Sequence, residues 1–487
     1  MARCAQSGEP GCLQVAAWHR SDRVDPLIRH VGRTRMSQGT AVPRQSLSVF
    51  DATALMVGMV IGVGIFGTPW LVAINSPSVE WYLALWVIGG LVSLLGVLCY
   101  AELAGRHPDA GGEYNFLTRA YGPGLGFLFA WGRLTVIQAG IIAAIGFLFG
   151  QYMSRLAQFE GFGWANLGAY GEALWAAILI LALSAVNYLG TRQSTMLQNV
   201  LTVALVLAFT VIIVVGLTAE PAQGGPALSK PFDPDRAALG LAFVFVMLTY
   251  GGWNETVYLS GELRNPQRNM VRVFLLGLAV VTVIYLLLNL AYVNVLGIDG
   301  VRASRAVGTD MMKAVAGTTG AVIITFVIVT EIGTTLNATI FTGARTNYAL
   351  GRDFRIFGFM GRWNDARNTP GNAIVVQTLL SLALVGFGAL QKDGFKVLVE
   401  YTAPVFWSFM LLNGIALFVF RAREGRPTSS YAVHFYPVVP LLFCAFCAYM
   451  LWSGINYAKL NGLIAVGVLL AGIPVYLWAR AANDRVR

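Results

Sequence analysis

Gly58-Met59-Val60-Ile61-Gly62-Val63-Gly64-Ile65-Phe66-Gly67-Thr68-Pro69 decides how this chain is read. The stretch lies inside an apolar run long enough to cross a bilayer, yet it holds four glycines and ends at a proline. Such residues disfavour a continuous helix, so a break is expected there. Inside a membrane an interrupted helix survives only where its freed N–H and C=O groups face protein, water or a ligand, so the break marks a binding site.

The rest of the chain supports a membrane setting. Hydrophobic residues make up 56% of the 487 and charged ones 12%, and the mean hydropathy is +0.64. That composition describes an all-α polytopic membrane protein whose surroundings are the lipid bilayer. The net charge of +10 does not point to nucleic acid, because there is no soluble domain to bind it; topogenic charge accounts for it. Of the five cysteines, Cys4 and Cys12 fall in the N-terminal tail, and Cys99, Cys444 and Cys447 lie in apolar segments. Cys444-x-x-Cys447 has no second ligand pair and apolar flanks, so these thiols read as small packed hydrophobes.

Residues 1–46 are polar, Arg-rich and without hydrophobic periodicity, which reads as a disordered basic cytoplasmic tail with Met36 as a candidate start. Twelve spans follow, near 48–74, 80–104, 123–153, 170–190, 194–217, 238–260, 271–297, 318–346, 371–390, 397–420, 434–453 and 461–480. Loops after the even spans carry most of the arginines, among them Arg106, Arg119, Arg192, Arg264, Arg268, Arg345, Arg352, Arg362 and Arg421. Loops after the odd spans are poorer in charge, with Arg155, Lys230, Arg236, Arg302, Arg305, Lys313, Lys392, Lys396 and Lys459. Both termini are therefore expected in the cytoplasm, with the protein in the plasma (inner) membrane.

The sixth span repeats the peculiarity of the first. Thr249-Tyr250-Gly251-Gly252-Trp253-Asn254-Glu255 puts a glycine pair, an aromatic and a carboxylate where a plain span would carry Leu and Val. Two Gly-interrupted helices five spans apart are the pointer to an inverted repeat with substrate held between its halves. The chain then divides into a five-helix repeat over 47–217, a second over 238–420, and two extra helices over 434–480.

These residues also carry a resemblance. Gly62-Val63-Gly64-Ile65-Phe66 resembles the GSGIF-type segment of the APC (amino acid, polyamine and organocation) superfamily of transporters, with Val63 in place of the usual small polar residue. Tyr100-Ala101-Glu102-Leu103 with Pro108, Gly111-Gly112-Glu113-Tyr114 and Tyr121-Gly122 is similar to that family's second span and following loop. Tyr250 to Asn254 with Gly261-Glu262-Leu263-Arg264-Asn265-Pro266 resembles its sixth span and exit; Asn337, Arg345 and Ala349-x-Gly351-Arg352-Asp353 resemble its eighth. The resemblance covers most of the chain from Leu47 onward. It implies a LeuT-like fold of five plus five helices, and a secondary transporter moving an amino acid or related amine by alternating access, as symporter or exchanger. An amino-acid-sensing receptor or channel on the same scaffold is the alternative.

The chemistry of an amino-acid zwitterion fits the breaks. Backbone amides over Gly62, Val63, Gly64 and Ile65 suit the carboxylate, while the carbonyls of Ile61, Tyr250 and Gly251 suit the ammonium. Gly252 permits close approach, Trp253 is expected over the substrate as an aromatic gate, and Glu255 is expected to meet a cationic side chain or a watery vestibule. The other charges inside spans are Arg133, Glu331 and Glu400. Glu331 shares a helical face with Thr334 or Thr335. In sodium-coupled members of the fold, hydroxyls of span 8 join carbonyls of span 1, here Gly58 and Ile61, around Na+. Relatives without sodium often carry a Lys in span 5, and Leu205 stands at that place. Three readings stay open: Na+ at Gly58, Ile61, Thr334 and Thr335, a proton on Glu331, or exchange with no coupling ion. Glu331 paired with Arg133 is a fourth, purely structural one. No other cofactor or metal is expected, and the oligomeric state is open. The histidines make no metal spacing and no Walker-type loop is present, so an enzyme is not expected.

Overall fold

The computed structural model describes residues 45–62, 64–157, 161–221, 233, 239–304, 306–391 and 394–484. Met36, Val63, Lys230, Arg236, Arg305 and Lys392 lie outside the described residues, and so do the side chains of Lys396, Glu400 and Lys459. Within them the fold is helical: α1 (Val49–Val60), α2 (Gly64–Gly67), α3 (Pro69–Ile74), α4 (Val79–Arg106), α5 (Glu113–Tyr121), α6 (Pro123–Gly132), α7 (Gln138–Leu156), α8 (Gly171–Leu189), α9 (Thr191–Thr218), α10 (Leu239–Thr249), α11 (Pro266–Ala303), α12 (Val307–Asp353), α13 (Gly371–Ala389), α14 (Gly394–Glu424) and α15 (Val438–Asp484). Strand pairing among the described residues is confined to the isolated bridges Leu47–Leu263 and Asn364–Thr369.

Eleven helical segments among the described residues are long and apolar enough to cross a membrane, which makes the chain a polytopic integral membrane protein. Exposed Ile178, Leu181, Leu207, Val211 and Val214 are the outward faces of α8 and α9, as lipid contact requires. The expected sixth span is the one that is not among these eleven. Its α10 half ends at Thr249, a turn follows at Gly251 and Gly252, and a 3-10 segment runs from Trp253 to Leu259. The left-handed backbone of Gly252, φ 104°, causes this, since a residue with a Cβ is strained there. Two other boundaries differ from expectation. The eighth span begins within a longer helix whose backbone departs from helical geometry at Ala316 and Gly317. The last two apolar stretches, Val438–Asn456 and Gly462–Ala482, belong to one helix, α15.

The first span starts cleanly and stops early. Ser48 caps α1 in a capping box: its hydroxyl accepts from the Asp51 N–H at 3.1 Å, while the Asp51 carboxylate accepts from the Ser48 N–H at 2.9 Å. At the other end Ile61 leaves helical geometry with ψ 91°, and helix resumes only at Gly64.

The two interrupted spans lie side by side and run in opposite directions. Leu47 N–H donates to Glu262 C=O at 2.9 Å and Arg264 N–H to Leu47 C=O at 3.0 Å, which ties the start of one to the exit of the other. Further in, a Cβ on Gly252 would stand 2.5 Å from the Met59 carbonyl oxygen, and a Cβ on Gly64 would stand 3.0 Å from Thr249. As residue number rises along the first span it falls along the sixth, so the two breaks share one level.

Candidate functional site

Helix α11 ties the breaks together. The Tyr285 hydroxyl lies 2.7 Å from the Val60 carbonyl and 3.0 Å from that of Thr249, the last helical residue on each side. The hydroxyls of Thr68 and Thr249 meet at 2.7 Å just beyond. Carbonyls freed by a helix end need such partners in a dry interior. Tyr285, Asn289 and Tyr292 fall on one face of α11 at helical spacing; Asn289 accepts from the Tyr82 hydroxyl and Tyr292 reaches the Ile65 carbonyl. Sequence reasoning missed this stripe, although polar side chains at i, i+4 and i+7 in a Leu-rich run were its signal.

Of the expected substrate residues, Ile61, Gly62, Gly64 and Ile65 line the first break, and Val63 falls outside the described residues. Gly251 and Gly252 form the second turn. Tyr250 is buried: its ring packs 5.1 Å from that of Tyr285, and its hydroxyl donates to the Trp86 carbonyl. Trp253 is seated on α4, with its ring 5.1 Å from Tyr100 and 6.1 Å from Phe443. Its seat is Gly96, where a Cβ would come within 2.4 Å of the indole. Glu255 meets Arg133 at 3.0 and 2.5 Å and accepts from the Thr342 hydroxyl at 2.6 Å. The expected pairing of Arg133 with Glu331 is thus replaced by Arg133 with Glu255, and Glu113 stands 3.7 Å from the same guanidinium. Bidentate geometry favours this choice.

The coupling-ion candidates gather against α1. Thr335 Oγ1 lies 2.7 Å from Gly58 O, 3.2 Å from Ile61 O and 2.9 Å from Glu331 Oε1. Thr334 faces Gly58 with its methyl group, and its hydroxyl donates to the Thr330 carbonyl. Glu331 is fully buried, its Oε2 has no hydrogen-bond partner, and its Oε1 lies 4.0 Å from the place of a Cβ on Gly62. A threonine hydroxyl has one hydrogen, so three oxygen neighbours leave the cluster short of positive charge. A hard cation or a proton on the carboxylate satisfies that shortage, and the oxygen set fits either. Among the described residues no group of three His, Cys, Asp or Glu forms a metal cluster.

Behind this cluster α9 presents a polar seam. Thr202 donates to the Ala54 carbonyl, Asn337 donates to Gln198 Oε1 at 2.8 Å, and Asn187 donates to Asn337 Oδ1 at 2.9 Å. Gly58 permits the approach: a Cβ there would stand 2.2 Å from Gln198 Nε2 and 2.5 Å from Thr334. Leu205, at the position considered for a Lys, is buried.

A polytopic helical protein with two facing helix breaks, bridged by side chains and flanked by a buried carboxylate, has the architecture of a membrane permease. Comparison with known proteins gives the family. The chain belongs to the amino acid permease family, whose model matches residues 47–476. It is 30% identical over 437 residues to the mouse b(0,+)-type amino acid transporter 1, covering 89% of this chain and 87% of that one. It is 27% identical over 440 residues to the serine/threonine exchanger SteT of Bacillus subtilis (strain 168), covering 89% and 96%. Against the human large neutral amino acids transporter small subunit 2 it is 27% identical over 449 residues, covering 90% and 81%.

Proposed function

We propose that this chain is a secondary transporter that moves an amino acid across the plasma (inner) membrane by alternating access, as exchanger or symporter. The observation that carries the reading is the antiparallel placement of two broken spans at one level, with Tyr285 hydrogen-bonded to the last carbonyl of each. Family membership and relatives named as amino acid transporters and a serine/threonine exchanger support it.

The substrate carboxylate is taken by backbone amides over Gly62 to Ile65 and its ammonium by the carbonyls of Ile61, Tyr250 and Gly251. Residues 47–217 and 238–420 act as two inverted five-helix repeats, with the interrupted segment Leu239–Leu259 as the sixth of twelve crossings and both termini in the cytoplasm. Glu331, with Gly58, Ile61 and Thr335, holds the coupling cation or proton where one is used.

Reconstitution of the full chain in liposomes with labelled amino acids, under Na+, pH and counter-substrate gradients, tests the reading. Uptake or exchange of at least one amino acid is expected; no movement under any gradient refutes it. Binding without flux identifies a sensor, and ion current without substrate identifies a channel.

A further inference from the structure

We propose that Arg133 sets the charge class of the substrate: by neutralising Glu255 it makes the site select amino acids with uncharged side chains over cationic ones. This rests on the transport reading and names the substrate class of that same site.

Glu255 follows the left-handed Gly252 by three residues, so it stands directly beyond the second break. A buried carboxylate at such a place attracts an ammonium or guanidinium side chain. Here that capacity is already used. Both Glu255 oxygens face the Arg133 fork, and Thr342 donates to one of them as well. Arg133 is itself 1% exposed and has little freedom to leave. Its guanidinium lies 4.1 Å from the centre of the Tyr258 ring, and a π-helical turn, Arg133–Ile137, sets the start of its side chain. Glu113 on the far side accepts from the Tyr100 and Tyr258 hydroxyls at 2.7 and 2.6 Å, so its charge is met by neutral donors. Arg133 makes its two short contacts to Glu255 and only a longer one, 3.7 Å, to Glu113.

The position along α12 gives the pair its role. Thr342, which holds Glu255, lies seven residues beyond Thr335, which holds Glu331. At the helical rise that separation is about 10 Å along the axis. Glu331 lies at the end where Gly62 lies, and Glu255 is held about two helical turns further along α12. The first end keeps an unbalanced carboxylate and the second does not. A cationic side chain reaching the second end meets a carboxylate already compensated, together with the guanidinium that compensates it.

Arg133 is a positioning residue in this account, acting through Glu255, and substrate charge preference is the readout that a purely structural ion pair leaves unmoved. The full chain is reconstituted in liposomes, its folded state checked by thermal melting, and uptake of labelled leucine, lysine and glutamate is compared. The wild type is expected to move leucine in preference to lysine. Arg133→Met frees the Glu255 charge and is expected to raise the lysine-to-leucine ratio about tenfold or more, as an uncompensated charge at short range in a protein interior implies. Arg133→Met with Glu255→Gln returns the ratio to that of the wild type. Glu255→Gln alone removes one of the two carboxylates beside Arg133, makes the site less negative by one charge and raises the glutamate-to-leucine ratio, which decides the matter if Arg133→Met does not fold. Unchanged ratios in the folded variants, or a wild type that moves lysine as well as leucine, overturn the inference. A wild type that moves no amino acid refutes the transport reading instead.

Discussion

Five glutamates are buried among the described residues, and they divide into two kinds. Glu102 accepts from Arg421 at 2.7 and 2.6 Å, Glu255 meets Arg133, Glu262 accepts from Arg345 at 2.6 Å, and Glu113 lies near Arg133 between two phenols. Glu331 meets no basic side chain among the described residues, and its one hydrogen-bonding neighbour is Thr335. Burying a charge without a counter-charge is costly, so a paired carboxylate is at rest and an unpaired one is available. The paired glutamates hold helices together. Glu331 sits beside the first break without a counter-charge among the described residues, as the coupling role proposed for it requires.

Removing a counter-charge should therefore cost most. Arg345→Met leaves Glu262 bare and also strips donors from the Phe341 carbonyl and Thr191. A loss of about 3–5 kcal/mol is expected, read as a lower melting temperature in lipid nanodiscs. A melting temperature equal to that of the wild type would mean the pair is not structural, and the division would lose its first half.

Glu331→Gln tests the second half. No counter-charge is stranded, so the melting temperature should stay near that of the wild type. Uptake should fall about tenfold or more, because a charge-assisted contact worth roughly 1.5–3 kcal/mol is replaced by a neutral one. Dependence on a Na+ or pH gradient, where the wild type shows it, should vanish with it. A variant that melts early yet transports normally would place Glu331 among the structural glutamates.

The sequence foretold much of this and missed the rest for a physical reason. Both breaks were legible because glycine and proline act on the backbone locally, and Gly62 and Gly252 do interrupt their spans. Partners across helices were not legible, because a pairing depends on the rotation of two helices about their axes. Arg133 was weighed as a structural partner of Glu331, and it faces Glu255. The seat of Trp253, whose ring stands on Gly96 against Tyr100 and Phe443, was not legible either. In each case the residue type announced a role, while a small residue or a fork-shaped donor on another span decided the partner.

The breaks themselves rest on a neutral donor, which offers a milder test. Tyr285→Phe removes the hydroxyl that meets the Val60 and Thr249 carbonyls while keeping the ring that packs on Trp86 and Tyr250. About 1–3 kcal/mol of stabilisation should be lost for the polar groups left unpaired. If Glu331 and Tyr285 serve one site, uptake should fall in this variant too, whereas Arg345→Met should lower melting more than it lowers uptake per folded molecule. Equal uptake in Tyr285→Phe and wild type would separate the bridge from the transport step.

The smallest expected effect concerns a carboxylate settled in a third way. Asp51 begins α1, accepts from the Ser48 N–H and hydroxyl and from Asn199 Nδ2 at 2.6 Å, and lies in the first turn of a helix, where the backbone dipole favours negative charge. Its charge is met chiefly by hydrogen-bond donors. Ser48→Ala removes one side of the capping box and should cost about 1 kcal/mol, with Ser48→Gly costing only a few tenths. Because α1 runs from this cap to the break at Ile61, fraying at Ser48 should reach transport only through the bond between Leu47 and Glu262. Hydrogen exchange at Ala52 to Leu55 should therefore quicken while uptake stays near that of the wild type. If uptake falls as far as in Glu331→Gln, α1 moves as one piece from its cap to its break. Glu331 would then be reading the position of that helix as well as holding a charge.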